Sequence, residues 1–220
     1  MATRPKDTTK DETILAKTGK TREEWYAILD AFDRRAKGHK ETANFLYEVH
    51  GVEFWYCQAI TIEYERERGI REVGQRCDGK FAVSVTRTVA VPVQRAWDAW
   101  ANADQVSTWF TTRANQDFRE GGVYDNGDGD KGVYKRIVPP KRLVFTWENE
   151  EHCPGSQVIV EFLPKGEDKT SVVLTHERLP DKKGCEEMKE GWTWALTSLK
   201  SYLETGKAIG YEAWKASGAK

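Results

Sequence analysis

Cysteine is scarce and never clustered. Cys57, Cys77, Cys153 and Cys185 are the four in 220 residues, and no Cys-x-x-Cys pair occurs. A zinc ribbon or a thioredoxin-like motif is therefore excluded, and the thiols are expected to be free. His152 and Cys153 are neighbours, but two adjacent side chains cannot supply four tetrahedral ligands, so no metal is expected. No apolar run approaches the ~20 residues of a membrane span. The opening Met1-Ala2-Thr3-Arg4-Pro5 has no apolar segment and does not read as a secretory signal, so the expected location is cytoplasmic. An excess of one charge is missing too. With 34 basic and 35 acidic residues there is no overall bias of the kind that serves nucleic acid. Gly-x-Ser-x-Gly, dinucleotide-binding, Walker and zinc-protease motifs are all absent. No catalytic residue is assigned on this basis, and no cofactor is expected.

What is present is aromatic. Leu, Ile, Val and Phe make up less than a fifth of the chain, a composition that alone would suggest disorder. Nine Trp and eight Tyr reverse that inference, because each can bury roughly 150–250 Å². Valine is unevenly spread, with three in residues 1–80 and fourteen in residues 81–220. β-branched residues favour strands, so the first part reads as helical and the second as β-rich. Thr21 and Glu24 form a capping box ahead of Trp25, Ile28, Leu29 and Phe32 on one helix face. Further helices are expected near 10–17, 40–50 and 53–68, stopped by Gly19, Gly51 and Gly69. Residues 1–69 are thus expected to be a small all-α bundle, 70–80 a linker and 208–220 a tail. Trp25, Phe54 and Trp55 look exposed, so the bundle is expected to pack on the second domain or on another copy of the chain.

In the second part, a strand over 81–91 leads to Pro92, a helix carrying Ala96, Trp97 and Trp100, and a short helix that Asp104 caps. Strands are expected at 113–119, 122–125, 132–138, 142–148, 156–163 and 170–176. The Asp125–Asp130 run reads as a hairpin turn rather than a calcium loop, because Gly127 and Gly129 stand where ligands belong. A long helix over 181–205 presents Met188, Trp192, Ala195, Leu196, Leu199 and Leu203 on one face. This order gives an α+β fold in which a curved antiparallel sheet grips one long helix. The space between them is a natural ligand cavity.

Several ordered motifs carry a family resemblance. They are Val91-Pro92, Ala96-Trp97, Trp109-Phe110, Asp117-x-Arg119-x-Gly121-Gly122, Pro139 through Trp147, Leu174-Thr175-His176, and Gly191-Trp192. Across residues 81–207 the chain resembles the Hsp90-ATPase-activator homologue domain of the START-like helix-grip superfamily. The resemblance implies a helix-grip fold with a cavity. Relatives include lipid carriers, polyketide cyclases, hormone receptors and the co-chaperone, so it implies no single activity. Residues 17–69 also resemble a small helical module of unknown function, through Thr18-Gly19-Lys20-Thr21, Trp25 and the stretch from Ala59 to Tyr64.

Strand alternation places Leu143, Phe145 and Trp147, then Val158, Val160 and Phe162, then Val172, Leu174 and His176, toward the long helix. The candidate ligand-binding residues are Trp109, Phe110, Trp147, His176, Met188, Gly191, Trp192 and Ala195. Core packing is the alternative reading for Trp147, Met188, Gly191 and Trp192, and the resemblance implies that Trp109 and Phe110 cover the cavity mouth. Gly191 costs its helix roughly 1 kcal/mol against alanine, so close packing or retained cavity volume should offset it. His176 is either a satisfied histidine or a ligand-orienting or acid–base group. The expected partner is a small apolar or amphipathic molecule. A cofactor-independent cyclase or hydrolase and a chaperone-linked interaction role stay open.

Overall fold

The computed structural model describes residues 9–72, 74–76, 78–150 and 152–218. Cys77, the first eight residues and the last two, which entered the expectations above, lie outside them. The chain forms two compact units, Met1–Cys77 and Asp78–Lys220.

The first unit is helical: α1 (Asp11–Thr18), α2 (Arg22–Ala31), α3 (Arg34–Lys37), α4 (His39–Glu48) and α5 (Phe54–Glu67). The Thr18-Gly19-Lys20-Thr21 turn explains itself physically. Gly19 ends α1 at φ 75°, a left-handed conformation open to glycine without a Cβ penalty. Thr18 Oγ1 donates to the Ile14 carbonyl at 2.7 Å and accepts from the Trp25 indole N–H at 2.7 Å. Thr21 then opens α2 with both arms of the capping box. The turn therefore seats Trp25 in the core at 1% exposure. That corrects the expectation of an exposed Trp25, whereas Phe54 and Trp55 do lie exposed.

A core this small is supplemented by buried charge. Glu65, on α5, is fully buried and ion-paired with Arg34, with Arg71 at 2.6 Å and with His39 at 2.9 Å. Burial opposes its ionisation, but hydrogen bonds from His39 and Arg34 prevail and hold the carboxyl below its ordinary range. Ile70 and Arg71, within the stretch read as a linker, belong to this packing, for both of their N–H groups donate to the Glu65 carbonyl.

The second unit contains β1 (Phe81–Val89), α6 (Val93–Ala101), α7 (Ala103–Trp109), β2 (Asn115–Gln116), β3 (Val123–Asp125), β4 (Lys131–Val138), β5 (Arg142–Trp147), β6 (Ser156–Pro164), β7 (Thr170–Leu179), α8 (Lys182–Thr205) and α9 (Tyr211–Ala216). The strands form one antiparallel sheet in the order β1-β7-β6-β5-β4-β3-β2. Alternate residues of β5, β6 and β7 are buried as period-2 patterning requires. Trp192, Ala195, Leu196 and Leu199 of α8 join them in one core. This is the expected α+β helix-grip architecture. No helix among the described residues is long and apolar enough to cross a membrane.

Three local expectations differ. α7 is capped by Asn102, whose side chain accepts from the Gln105 N–H at 3.0 Å, rather than by Asp104. The expected strand over 113–119 shrinks to Asn115–Gln116, because residues 117–122 close a turn in which the Gly122 N–H donates to the Arg119 carbonyl. Residues 208–220, read as a tail, contain α9 with Trp214 buried.

Glycines in this unit answer different needs. A Cβ at Gly122 would sit 1.9 Å from the Asp117 carbonyl oxygen, whereas one at Gly191 would meet nothing within 4 Å. Gly122→Ala is accordingly expected to destabilise the unit by about 1–3 kcal/mol through overpacking. Gly191→Ala should stabilise it by up to ~1 kcal/mol through helix propensity. Denaturant midpoints of the two variants check this, and shifts of the same sign would contradict it.

Candidate functional site: an aromatic interior and its mouth

His176 is where the sequence reading and the chemistry meet most directly. It is fully buried on β7, opposite Val158 of β6. The Trp192 indole N–H donates to its Nδ1 at 3.0 Å, and Ser156 Oγ lies 2.7 Å from its Nε2. An indole nitrogen only donates, so Nδ1 must be the accepting nitrogen. The neutral ring then carries its proton on Nε2 and donates it to Ser156 Oγ. Burial pushes the imidazole pKa down to about 3, so the ring is neutral at ordinary pH. A histidine wired this way cannot take a proton from Ser156, which is what nucleophile activation needs. Burial also raises the thiols, Cys57 and Cys153 to about 11, so neither is a ready thiolate.

Aromatic side chains fill most of the interior between α8 and the sheet. A cavity of about 30 Å³ remains, lined by Trp100, Trp109, Phe110, Tyr134, Phe145, Trp147 and Trp192 among others. That is room for about one water. Beside it opens a cleft of about 150 Å³, lined by Phe110, Asp128, Asp130, Trp147, Met188, Gly191, Trp192 and Trp194. Phe110, Trp147 and Trp192 border both spaces. The Phe110 ring stacks on Trp192 at 5.4 Å and on Trp109 at 5.3 Å.

Six of the eight candidate residues line one space or both. His176 and Ala195 line neither; they lie in the packed core behind them. Trp109 is a wall fixed in place, since its N–H donates to the Ala99 carbonyl and its own carbonyl accepts from Ser198 Oγ. Among the lining residues outside the candidate set, four bear on the chemistry. Trp100 was recognisable as core but not as cavity wall. Trp194 lies off the apolar face of α8. Asp128 and Asp130 come from the turn between β3 and β4.

Two features of this region are chemically unsettled. The indole N–H groups of Trp100, 6% exposed, and Trp147, 4% exposed, have no hydrogen-bond partner among the described residues. Leaving such a buried donor unmade costs about 1–3 kcal/mol. The Asp130 carboxyl is pushed up to about 6, first by burial and further by the charge of Asp128. A hydrogen bond from Asn149 Nδ2 at 2.7 Å and the field of His152 offset part of that. No group of three or more His, Cys, Asp or Glu placed to hold a metal occurs among the described residues.

The model of the family described as activator of Hsp90 ATPase homolog 1-like protein matches residues 90–204, just over half of the chain. The chain belongs to this family. Among solved structures, the Hsp90-activator-like fold recurs in CalU16 from Micromonospora echinospora. CalU16 is 26% identical with TM-score 0.52, over 58% of this chain and 78% of its own. DynU16, a protein of the dynemicin biosynthetic locus, is 27% identical with TM-score 0.51, over 58% of this chain and 48% of its own. An HSP90 activator from Plasmodium falciparum, 24% identical with TM-score 0.50 over 56% of this chain and 95% of its own, shares the fold. No curated protein matches the chain by sequence.

Two pH-dependent outcomes follow for this Hsp90-activator-like unit. The folded pKa of His176 lies far below its unfolded value. Its contribution is therefore complete above about pH 6.5 and is lost as the pH falls toward 3, on the order of 5 kcal/mol in all. The His176 ring signals should stay fixed by NMR from pH ~8 to ~4, with Nε2 protonated; titration near 6.5 would refute the buried network. Asp130 has the opposite sign, because its folded pKa is raised. Asp130→Asn should raise stability above about pH 6, by about 1 kcal/mol after solvent screening, and leave it unchanged below about pH 4. Thermal melts across that range check this.

Proposed function

We propose that the second unit binds a small apolar or amphipathic molecule that carries hydrogen-bond-accepting oxygen. The supporting observation is the pair of partnerless indole donors, Trp100 and Trp147, in a largely aromatic interior. A ligand oxygen within reach of either indole would satisfy it, and aromatic walls favour a flat or compact body. Ligand pockets run to roughly 300–1,000 Å³, so the resting interior is too small for more than a fragment. Phe110 borders both the interior and the cleft, so an outward rotation of its ring would join the two. Entry past Phe110 is accordingly part of the proposal.

A serine or cysteine hydrolase reading loses its support with the His176 tautomer and the raised thiols. Binding of a product or carrier role fits better than turnover. The family name also raises stimulation of a heat-shock ATPase, which a coupled ATPase assay with the purified chain separates from small-molecule binding.

The test is a panel of small aromatic ketones and ethers, read on the indole N–H signals by NMR, beside native mass spectrometry for a co-purified compound. A bound member should move the Trp100 and Trp147 signals together. Trp147→Phe removes one donor, and affinity should fall about 2–13-fold, one hydrogen bond's worth. A folded protein that binds no member below millimolar Kd and carries no compound would refute the proposal.

A further inference from the structure

The cleft at the mouth has a chemistry of its own. Trp147 and Trp192 meet at 68° with ring centroids 5.2 Å apart. Phe110 lies 18° from the Trp192 plane and 35° from the Trp194 plane. Trp147 and Trp192 thus stand as two crossed walls of the cleft, with Phe110 stacked on Trp192 and Trp194 tilted beside it, and aromatic surface of this kind attracts an alkylated cation. Asp128 and Asp130 complete the lining, and no Lys or Arg is part of it. A cleft of about 150 Å³ is the size that takes a benzene-sized group. Gly191 keeps that volume open, since a side chain there would find space rather than protein. Trp147, which borders the interior as well, adds a side chain 4% exposed whose N–H has no partner.

Other ligand chemistries fit less well. A phosphate or carboxylate would face two acidic side chains with no cation in the lining. A neutral ring would leave the Asp130 carboxylate desolvated and uncompensated. A bare primary ammonium keeps its water more strongly than one whose hydrogens are replaced by alkyl groups, and aromatic walls cannot replace that water fully. We propose that the cleft recognises an alkylated ammonium group with an oxygen acceptor next to it, set for the Trp147 N–H. This deepens the reading above and rests on it for the rest of the ligand: the bound molecule is an oxygenated apolar body that ends in an amine.

The probes are choline and its uncharged tert-butyl isostere, neohexyl alcohol, titrated into the full chain near neutral pH. Tryptophan fluorescence and the indole N–H signals report binding. Choline should bind at least about tenfold tighter than the isostere, as a desolvated cation over aromatic rings requires. Asp128→Asn and Asp130→Asn should each weaken choline several-fold and leave the isostere unchanged. Choline affinity should also fall as the pH drops through about 6, when Asp130 protonates beside Asp128, Asn149, Tyr124 and His152. In Asp130→Asn most of that dependence should vanish, and because this variant is expected to be more stable, its loss of affinity cannot be unfolding. Gly191→Leu should abolish choline binding with the fold intact by circular dichroism.

Equal affinity for the two probes, or no binding of either, overturns the inference. Neutral ketones and ethers that shift Trp100 while choline gains nothing would sink the cation site and leave the interior site standing. Choline binding in the cleft with a silent Trp100 and no bound ketone or ether would do the reverse.

Discussion

The hydrogen bond from Trp192 to His176 sets the geometry of the second unit. It ties α8 to β7 at a buried point, and the adjacent Ser156 ties β7 to the first residue of β6. A helix advances about 100° per residue, so fixing Trp192 fixes the roll of α8. Ala195, Leu196 and Leu199 then face the sheet, Gly191 and Met188 face the cleft, and Trp194 swings aside to donate to the Ile209 carbonyl. The core, the cleft and the seat of α9 all follow from that one orientation. The imidazole is well placed as a pivot because burial keeps it uncharged, so the contact costs no ion desolvation.

Much of this was legible in the chain because it is periodic. Alternation in β5, β6 and β7 and the i, i+3, i+4 spacing of α8 mark which faces are buried, and burial is what period reports. Gly121-Gly122 was recognisable as a signature, and its cause is steric: the Asp117 carbonyl occupies the place of a Cβ at Gly122. The cleft was less legible. Asp128 and Asp130 sit in a run whose glycines announce a turn, and turn propensity says nothing about where the loop's carboxylates point. Trp194 escaped because helical spacing assigns it to solvent. His176 was recognised as a strand-end residue near the interior, yet its spacing could not reveal that both ring nitrogens are consumed by neighbours. Trp25 erred the other way. Its amphipathic helix left its exposure open, and the deciding partner, Thr18, belongs to the preceding helix.

The two units solve the same problem by different means. The second packs a dense aromatic lattice, with Trp109, Phe145 and Phe162 each within stacking or edge distance of Trp100. The first is too small for that and buries Glu65 among Arg34, Arg71 and His39. Removing one member of such a cluster costs more than the cluster itself contributes, because the remaining charges are left without water or partner. Salt should therefore barely touch the aromatic unit's stability, and the buried cluster is also screened much less than surface pairs.

Phe110 has a thermodynamic consequence beyond its position. A side chain that closes a site from inside the ground state makes the receptive form a minority species. Apparent affinity is then the intrinsic affinity scaled by that minority's share, so an open state present at about 1% weakens binding about a hundredfold without altering a single ligand contact. If the ligand enters past Phe110 as proposed, its ring contacts with Trp109, Trp192 and Trp194 would set that share. Selection acting on any of these tryptophans could thus tune ligand retention across orders of magnitude while the recognising groups stay the same.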